Sequence, residues 1–217
     1  MNITLQKFTL PIRMMVLHTA FNYGLIMLVF IRSAQRHYLF LGWNLFLAWI
    51  PLLLAFYLKK HFTQKWGIRF YAFLGMWLLF FPNAPYIITD LIHLNERYNP
   101  AAWYDILLLF SSALNGLLLG FYSLYLVHNK LRDQFKERIA WLLVICFSVL
   151  SGYGIYLGRV LRWNSWDLFV HPITLLKQSL VQLTSFYAIS MTIGFSSFII
   201  TLYYVFKTII NYESTRN

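Results

Sequence analysis

The residues with the most chemical potential come in spaced pairs. Asp90 and His93 stand at i, i+3 in FFPNAPYIITDLIHL (80–94), and Asp167 and His171 at i, i+4 in GRVLRWNSWDLFVHP (158–172). Asp105 follows Tyr104 in WYD, and Arg159 and Arg162 repeat the i, i+3 spacing. Residues three or four apart on a helix share a face, so each pair can address one partner. A carboxylate beside an imidazole suits acid–base catalysis, which makes Asp90, His93, Asp105, Asp167 and His171 the candidate catalytic groups. The same donors suit zinc or manganese, so Asp90, His93, Asp167 and His171 are also candidate ligands for a divalent metal ion. No HExxH-type motif accompanies them, and a histidine beside an aspartate is often a structural hydrogen-bonded pair. Arg159 and Arg162 can grip a phosphate by bidentate contacts, with Asn83, Tyr86, Tyr104 and Asn164 as polar neighbours for substrate.

These residues are punctuation in a very apolar chain. Of 217 residues, 59% are hydrophobic, 20% aromatic and only 12% charged, against about 25% charged in soluble domains. Apolar blocks run over approximately 14–31, 38–58, 66–81, 103–127, 139–157 and 185–206. Most approach the roughly 20 residues that cross a hydrocarbon core, and backbone groups in lipid must be satisfied within the segment. The expected fold is therefore an all-α polytopic membrane bundle of about six transmembrane helices, forming one integral membrane domain over 1–217. The net charge of +11 lies beside apolar spans without a basic–aromatic groove, which excludes nucleic acid as a partner. The single cysteine, Cys146 in LLVICFSVL, reads as a small buried hydrophobe and offers neither disulfide nor nucleophile. The run 14–31 is longer than a signal core and lacks a small-x-small site, so it reads as a retained first span.

Charge sorting orients the spans. Twelve of the eighteen Lys and Arg residues fall on the amino-terminal side, which makes that side cytoplasmic with both termini inside. Four of the seven acids, Asp90, Glu96, Asp105 and Asp167, fall on the opposite side, whereas Asp133 and Glu137 read as part of a solvated loop at 128–138. Any polar site therefore faces outward. Ser112, Gly116 and Gly120, and again Ser190 and Gly194, place small residues every four positions, as closely packed membrane helices require.

The third span breaks itself. Pro82 and Pro85 each lack a backbone donor and crowd the preceding turn, so a kink or stop is expected there. Asn83 can cap the helix that restarts, whose face carries Asp90 and His93 to the outer membrane boundary. After Pro172, Ile173, Leu176, Leu180 and Leu183 fall on one face and Lys177, Gln178 and Gln182 on another. That pattern fits an interfacial helix before the last span. Deeper polar residues are His18, Asn22, Asn44 and Asn115; His18 and Asn22, at i, i+4, read as an interhelical hydrogen-bonding pair.

NAPYIITDL, GRVLRWNSWD and WNLFLAWIP (43–51) resemble the recurring motifs of bacterial membrane proteins grouped as domain of unknown function 1361. The likeness runs from about residue 38 to 206. It implies a polytopic plasma-membrane protein and no particular activity. The residues leave several functions open. One is a membrane enzyme or binding protein for an anionic lipid headgroup or a lipid-linked substrate such as a polyprenyl phosphate. Another is a small oligomeric transporter, a dimer, built around the broken helix. A third is a non-catalytic assembly partner, and beside all of them stands an ion-pair network in which the arginines neutralise the acids.

Overall fold

The computed structural model describes residues 3–33, 38–62, 66–94 and 103–216, with side chains throughout except at 3–10, 32, 33, 93, 94 and 213–216. Among the described residues every long element is helical. Helix α1 covers Ile3–Ser33, α2 Leu39–His61, α3 Ile68–Phe80 and α4 Asn83–Tyr86, followed by a 3-10 helix at Ile87–Leu94. Then come α5 (Trp103–Arg132), α6 (Glu137–Val160), α7 (Asp167–Val170), α8 (Pro172–Gln182) and α9 (Phe186–Arg216).

Six segments are long and apolar enough to cross a membrane: Pro11–Ile31, Leu39–His61, Ile68–Ile92, Trp103–Arg132, Glu137–Val160 and Phe186–Tyr212. The protein is thus the polytopic helical bundle its composition leads one to expect. Helix charges complement the macrodipole: Asp105 and Glu137 lie in the first turns of α5 and α6, and Lys130 with Arg132, and Arg159, in their last turns.

The break in the third span falls where the prolines put it. Phe81 N–H still bonds Trp77 O at 2.8 Å, but Pro82 has no donor for the next carbonyl and α3 stops at Phe80. Thirteen residues rise only about 20 Å, short of the roughly 30 Å core, so the 25-residue span is counted through α4 and the 3-10 helix.

The residues cluster into two compact units, each discontinuous in sequence. Unit 1 comprises 1–49 and 83–120; unit 2 comprises 50–82 and 121–217. Unit 1 contains one very close approach. A Cβ on Gly116 of α5 would lie 2.5 Å from Ala84 O and 2.9 Å from Ile87 Cδ1, so only glycine lets α4 and the 3-10 helix seat there.

Unit 2 is built on α6 against α9, where a Cβ on Gly152 would meet Thr192 O at 2.6 Å and Ser196 Oγ at 2.7 Å. The small residues expected to make this contact are displaced in register. Ser190 is exposed and a Cβ on Gly194 would meet nothing within 4 Å, because the face of α9 turned to α6 is the one bearing Thr192 and Ser196. Pro82 packs on α6 as well, 2.9 Å from where a Cβ of Gly154 would stand. Trp77 of α3 donates to Ser123 Oγ at 2.6 Å in the core of the same unit. Cys146, expected to be buried, is exposed on α6 and so belongs to its lipid-facing surface.

Candidate functional site

The 3-10 geometry decides where Asp90 points. With three residues per turn, positions i and i+3 eclipse, so Asp90 stacks in line with Ile87. Ile87 is fully buried against Gly116, and Asp90 is 2% exposed. The missing side chain at Gly116 makes room for this face inside unit 1. There Asn44 of α2 donates Nδ2–H to Asp90 Oδ2 at 2.9 Å. Two of the quoted motifs, WNLFLAWIP and NAPYIITDL, are therefore joined by one hydrogen bond. Thr89 Oγ1 closes the preceding turn on Tyr86 O at 2.7 Å. Asn83 and Tyr86 are half-buried on α4, and the His93 side chain lies outside the described residues, as do those of Arg32, Arg36, Glu96 and Arg97.

Asp105, also 2% exposed, sits in the first turn of α5 beside the half-buried Tyr104, whose ring meets Trp103 edge-on. Further along α5, unit 1 holds a run of interhelical hydrogen bonds. His18 Nε2 lies 3.0 Å from Ser111 Oγ, and Ser112 Oγ donates to Asn22 Oδ1 at 3.2 Å. Thr19 Oγ1 receives both Trp49 Nε1 at 3.1 Å and Asn115 Nδ2 at 2.9 Å. His18 and Asn22 thus each tie α1 to α5, as their spacing leads one to expect. Buried bonds of this kind are worth about 0.6 kcal/mol each between membrane helices. Asn115 Oδ1 is buried and accepts no hydrogen bond among the described residues.

Unit 2 carries the other polar motif, and there the side chains mostly serve the turn. Asp167 Oδ2 accepts Asn164 N–H at 2.7 Å and its side-chain amide at 3.3 Å, closing the turn that leads into α7. Asp167 and His171 are linked through the backbone, His171 N–H to Asp167 O at 2.8 Å, and His171 itself is exposed. Ser165 Oγ reaches Leu79 O at 2.9 Å, satisfying a carbonyl at the end of the broken α3. Arg159 and Arg162 do not share a helix face. Helix α6 ends at Val160, and Arg162 adopts φ 59°, a left-handed conformation that turns the chain out of the helix. Arg159 is half-buried and Arg162 exposed.

A cluster the sequence hides lies at the other end of α6. Glu137, expected in a solvated loop, accepts Lys207 Nζ at 3.0 Å and pairs with Arg132 Nε. Lys207 is only 6% exposed and lies 4.6 Å from the Trp141 ring centre. His128, fully buried, shares a 2.8 Å hydrogen bond with Tyr203 Oη. One carboxylate thus bridges α5, α6 and α9; the 70-residue separation of Glu137 from Lys207 is why no local pattern signals it. Among the described residues no group of three or more His, Cys, Asp or Glu side chains is gathered as a metal would require.

No curated protein matches the chain, and no solved structure does. One family model matches, described as protein of unknown function DUF1361, over residues 43–205. That stretch takes in Asn44, the proline break, Asp90, Asp105 and the Arg159–His171 turn, so the chain belongs to the DUF1361 family.

Proposed function

We propose that this is a bacterial plasma-membrane protein with both termini in the cytoplasm that binds, and acts as an enzyme on, an anionic lipid or a lipid-linked phosphate such as a polyprenyl phosphate. The observation that carries the reading is Asp90, a carboxylate within a span, 2% exposed and hydrogen-bonded to Asn44. Ionisable groups within membrane spans are costly and mark functional positions by default. Asp90, with Asp105 and His93, takes the role of proton transfer or metal ligation. Within unit 2 taken by itself, Arg159 and Arg162 are the groups suited to an anion, since guanidinium groups match phosphate geometry. Asp167 is a weaker candidate, because its carboxylate already organises the turn at Asn164.

Asp90→Asn tests this cleanly. The amide keeps an oxygen for Asn44 while removing the charge. Cells carrying it should accumulate a polar lipid or lipid-linked intermediate relative to wild type, and metal content of the purified proteins should differ if Asp90 is a ligand. An unchanged lipid profile together with unchanged metal content would overturn the enzymatic reading. A second reading, transport, is favoured by the buried Oδ1 of Asn115, which can receive a polar solute; Asn115→Leu would then abolish solute flux into proteoliposomes.

A further inference from the structure

We infer that α6, α8 and the start of α9 in unit 2 form a binding site for one anionic glycerophospholipid, with its phosphate at Lys177 and Gln178 and one acyl chain running down α6. Two hollows make up the site. The first is an open cleft of about 410 Å³ lined by Leu161, Lys177, Gln178, Val181 and Gln182. The second is a groove of about 210 Å³ whose walls, almost wholly apolar, include Val149, Leu150, Tyr153, Leu183, Ile189 and Ile193. They adjoin at the consecutive residues Gln182 and Leu183.

The cleft offers donors. Trp163 Nε1, which can only donate, bonds Gln178 Oε1 at 3.0 Å. That contact fixes the amide so that its NH2 group remains for a ligand. Tyr156 Oη likewise bonds Gln182 Oε1 at 2.8 Å. Lys177 adds a full positive charge and is exposed. Charge favours an anion throughout the region: between Arg138 and Tyr212 the only acid is Asp167, and Asn164 engages it. The glutamine face, expected to meet water, is thus turned partly onto α6, while Ile173, Leu176, Leu180 and Leu183 are all more than half exposed, as a helix seated in the lipid interface requires.

The groove fits a tail in length and chemistry. Along α6 the distance from Leu161, in the cleft, to Tyr153 is about 12 Å and to Val149 about 18 Å. One leaflet of hydrocarbon is about 15 Å deep. A groove facing lipid leaves its walls without contacts unless something fills it, and a methylene chain restores that dispersion energy.

Lipid binding here is independent of the chemistry proposed above and survives its failure. The test is native mass spectrometry of the whole protein in nanodiscs of phosphatidylglycerol or phosphatidylcholine. Wild type should retain one phosphatidylglycerol, with phosphatidylcholine held about tenfold less well or worse. Lys177→Glu should lose that preference, and Ile193→Trp, at an exposed wall position, should reduce retention of either lipid. Inorganic phosphate at millimolar concentration should not displace the lipid. Retention of both lipids equally, no retained lipid, or binding unaffected by Lys177→Glu would overturn the inference; so would displacement by phosphate alone, which would leave an anion site without a tail. Should Ile193→Trp fail to fold, the Lys177→Glu comparison still decides.

Discussion

NAPYIITDL and GRVLRWNSWD look alike in sequence, each a polar interruption of an apolar chain bearing an aspartate, but the protein uses them in opposite ways. In the first, the acid is drawn inside: Asp90 is 2% exposed and its partner, Asn44, comes from another helix. In the second, the acid stays local: Asp167 bonds Asn164 three residues away, and Ser165 and Trp163 tie the turn to α3 and α8. A buried carboxylate held across helices is difficult to explain as scaffolding, because an apolar pair would pack there at less cost. A carboxylate that closes its own turn needs no further explanation. The contrast sets an acid held across helices, at Asp90, against one that organises its own turn, at 163–167.

The sharpest way to break the contrast is at Gly116, which admits the Asp90 segment. Alanine there would place a methyl carbon 2.5 Å from Ala84 O, a backbone atom that cannot rotate away. Gly116→Ala should destabilise by at least the 1–3 kcal/mol typical of overpacking, on the order of 3 kcal/mol. Gly75→Ala, where nothing lies within 4 Å, is the matched control and should be neutral or stabilise by up to about 1 kcal/mol. Thermal midpoints in detergent, followed by tryptophan fluorescence, compare the two. Equal midpoints would show that the segment is not held by this approach.

The next effect is smaller and compares the acids through their partners. Asn44→Ala removes the donor to a buried carboxylate and should cost about 1.5–3 kcal/mol, as for other hydrogen bonds to charged groups. Asp167→Ala removes two hydrogen bonds that close a half-buried turn and should cost about 1 kcal/mol. The order of these two, measured by the same unfolding assay, is the comparison in numbers. A larger loss from Asp167→Ala would show that the local turn, rather than the bond between helices, is the stronger tie.

How much of this could be read from the residues depends on whether the cause is local. The six spans are legible because length and hydropathy are sums over neighbours, and the break because Pro82 carries its effect in its own ring. The direction of Asp90 is not, since it depends on the absent side chain of Gly116, on a different helix. Nor is the Glu137–Lys207 bridge, whose partners are 70 residues apart. Asn44 was visible as a lone amide in WNLFLAWIP, but nothing along the chain names Asp90 as its acceptor. The face shared by Arg159 and Arg162 failed for another reason. Spacing presumes that a helix continues, and α6 ends between them.

That ending supplies the smallest and most discriminating prediction. Arg162 holds φ 59°, a left-handed conformation that costs a residue with a side chain about 1–2 kcal/mol. Glycine removes that cost but gives back about 0.5–1 kcal/mol through the greater freedom of its unfolded chain. Arg162→Gly should therefore stabilise by roughly 0.5–1 kcal/mol net, while Arg162→Ala, still paying the left-handed cost, should not stabilise. Strained backbone persists where the side chain it carries has a task. If Arg162 holds an anion, the glycine variant gains midpoint and loses affinity for anionic lipid together, whereas a purely architectural residue would gain the first and keep the second. The opposite signs of the two readouts separate the roles without requiring the substrate to be known.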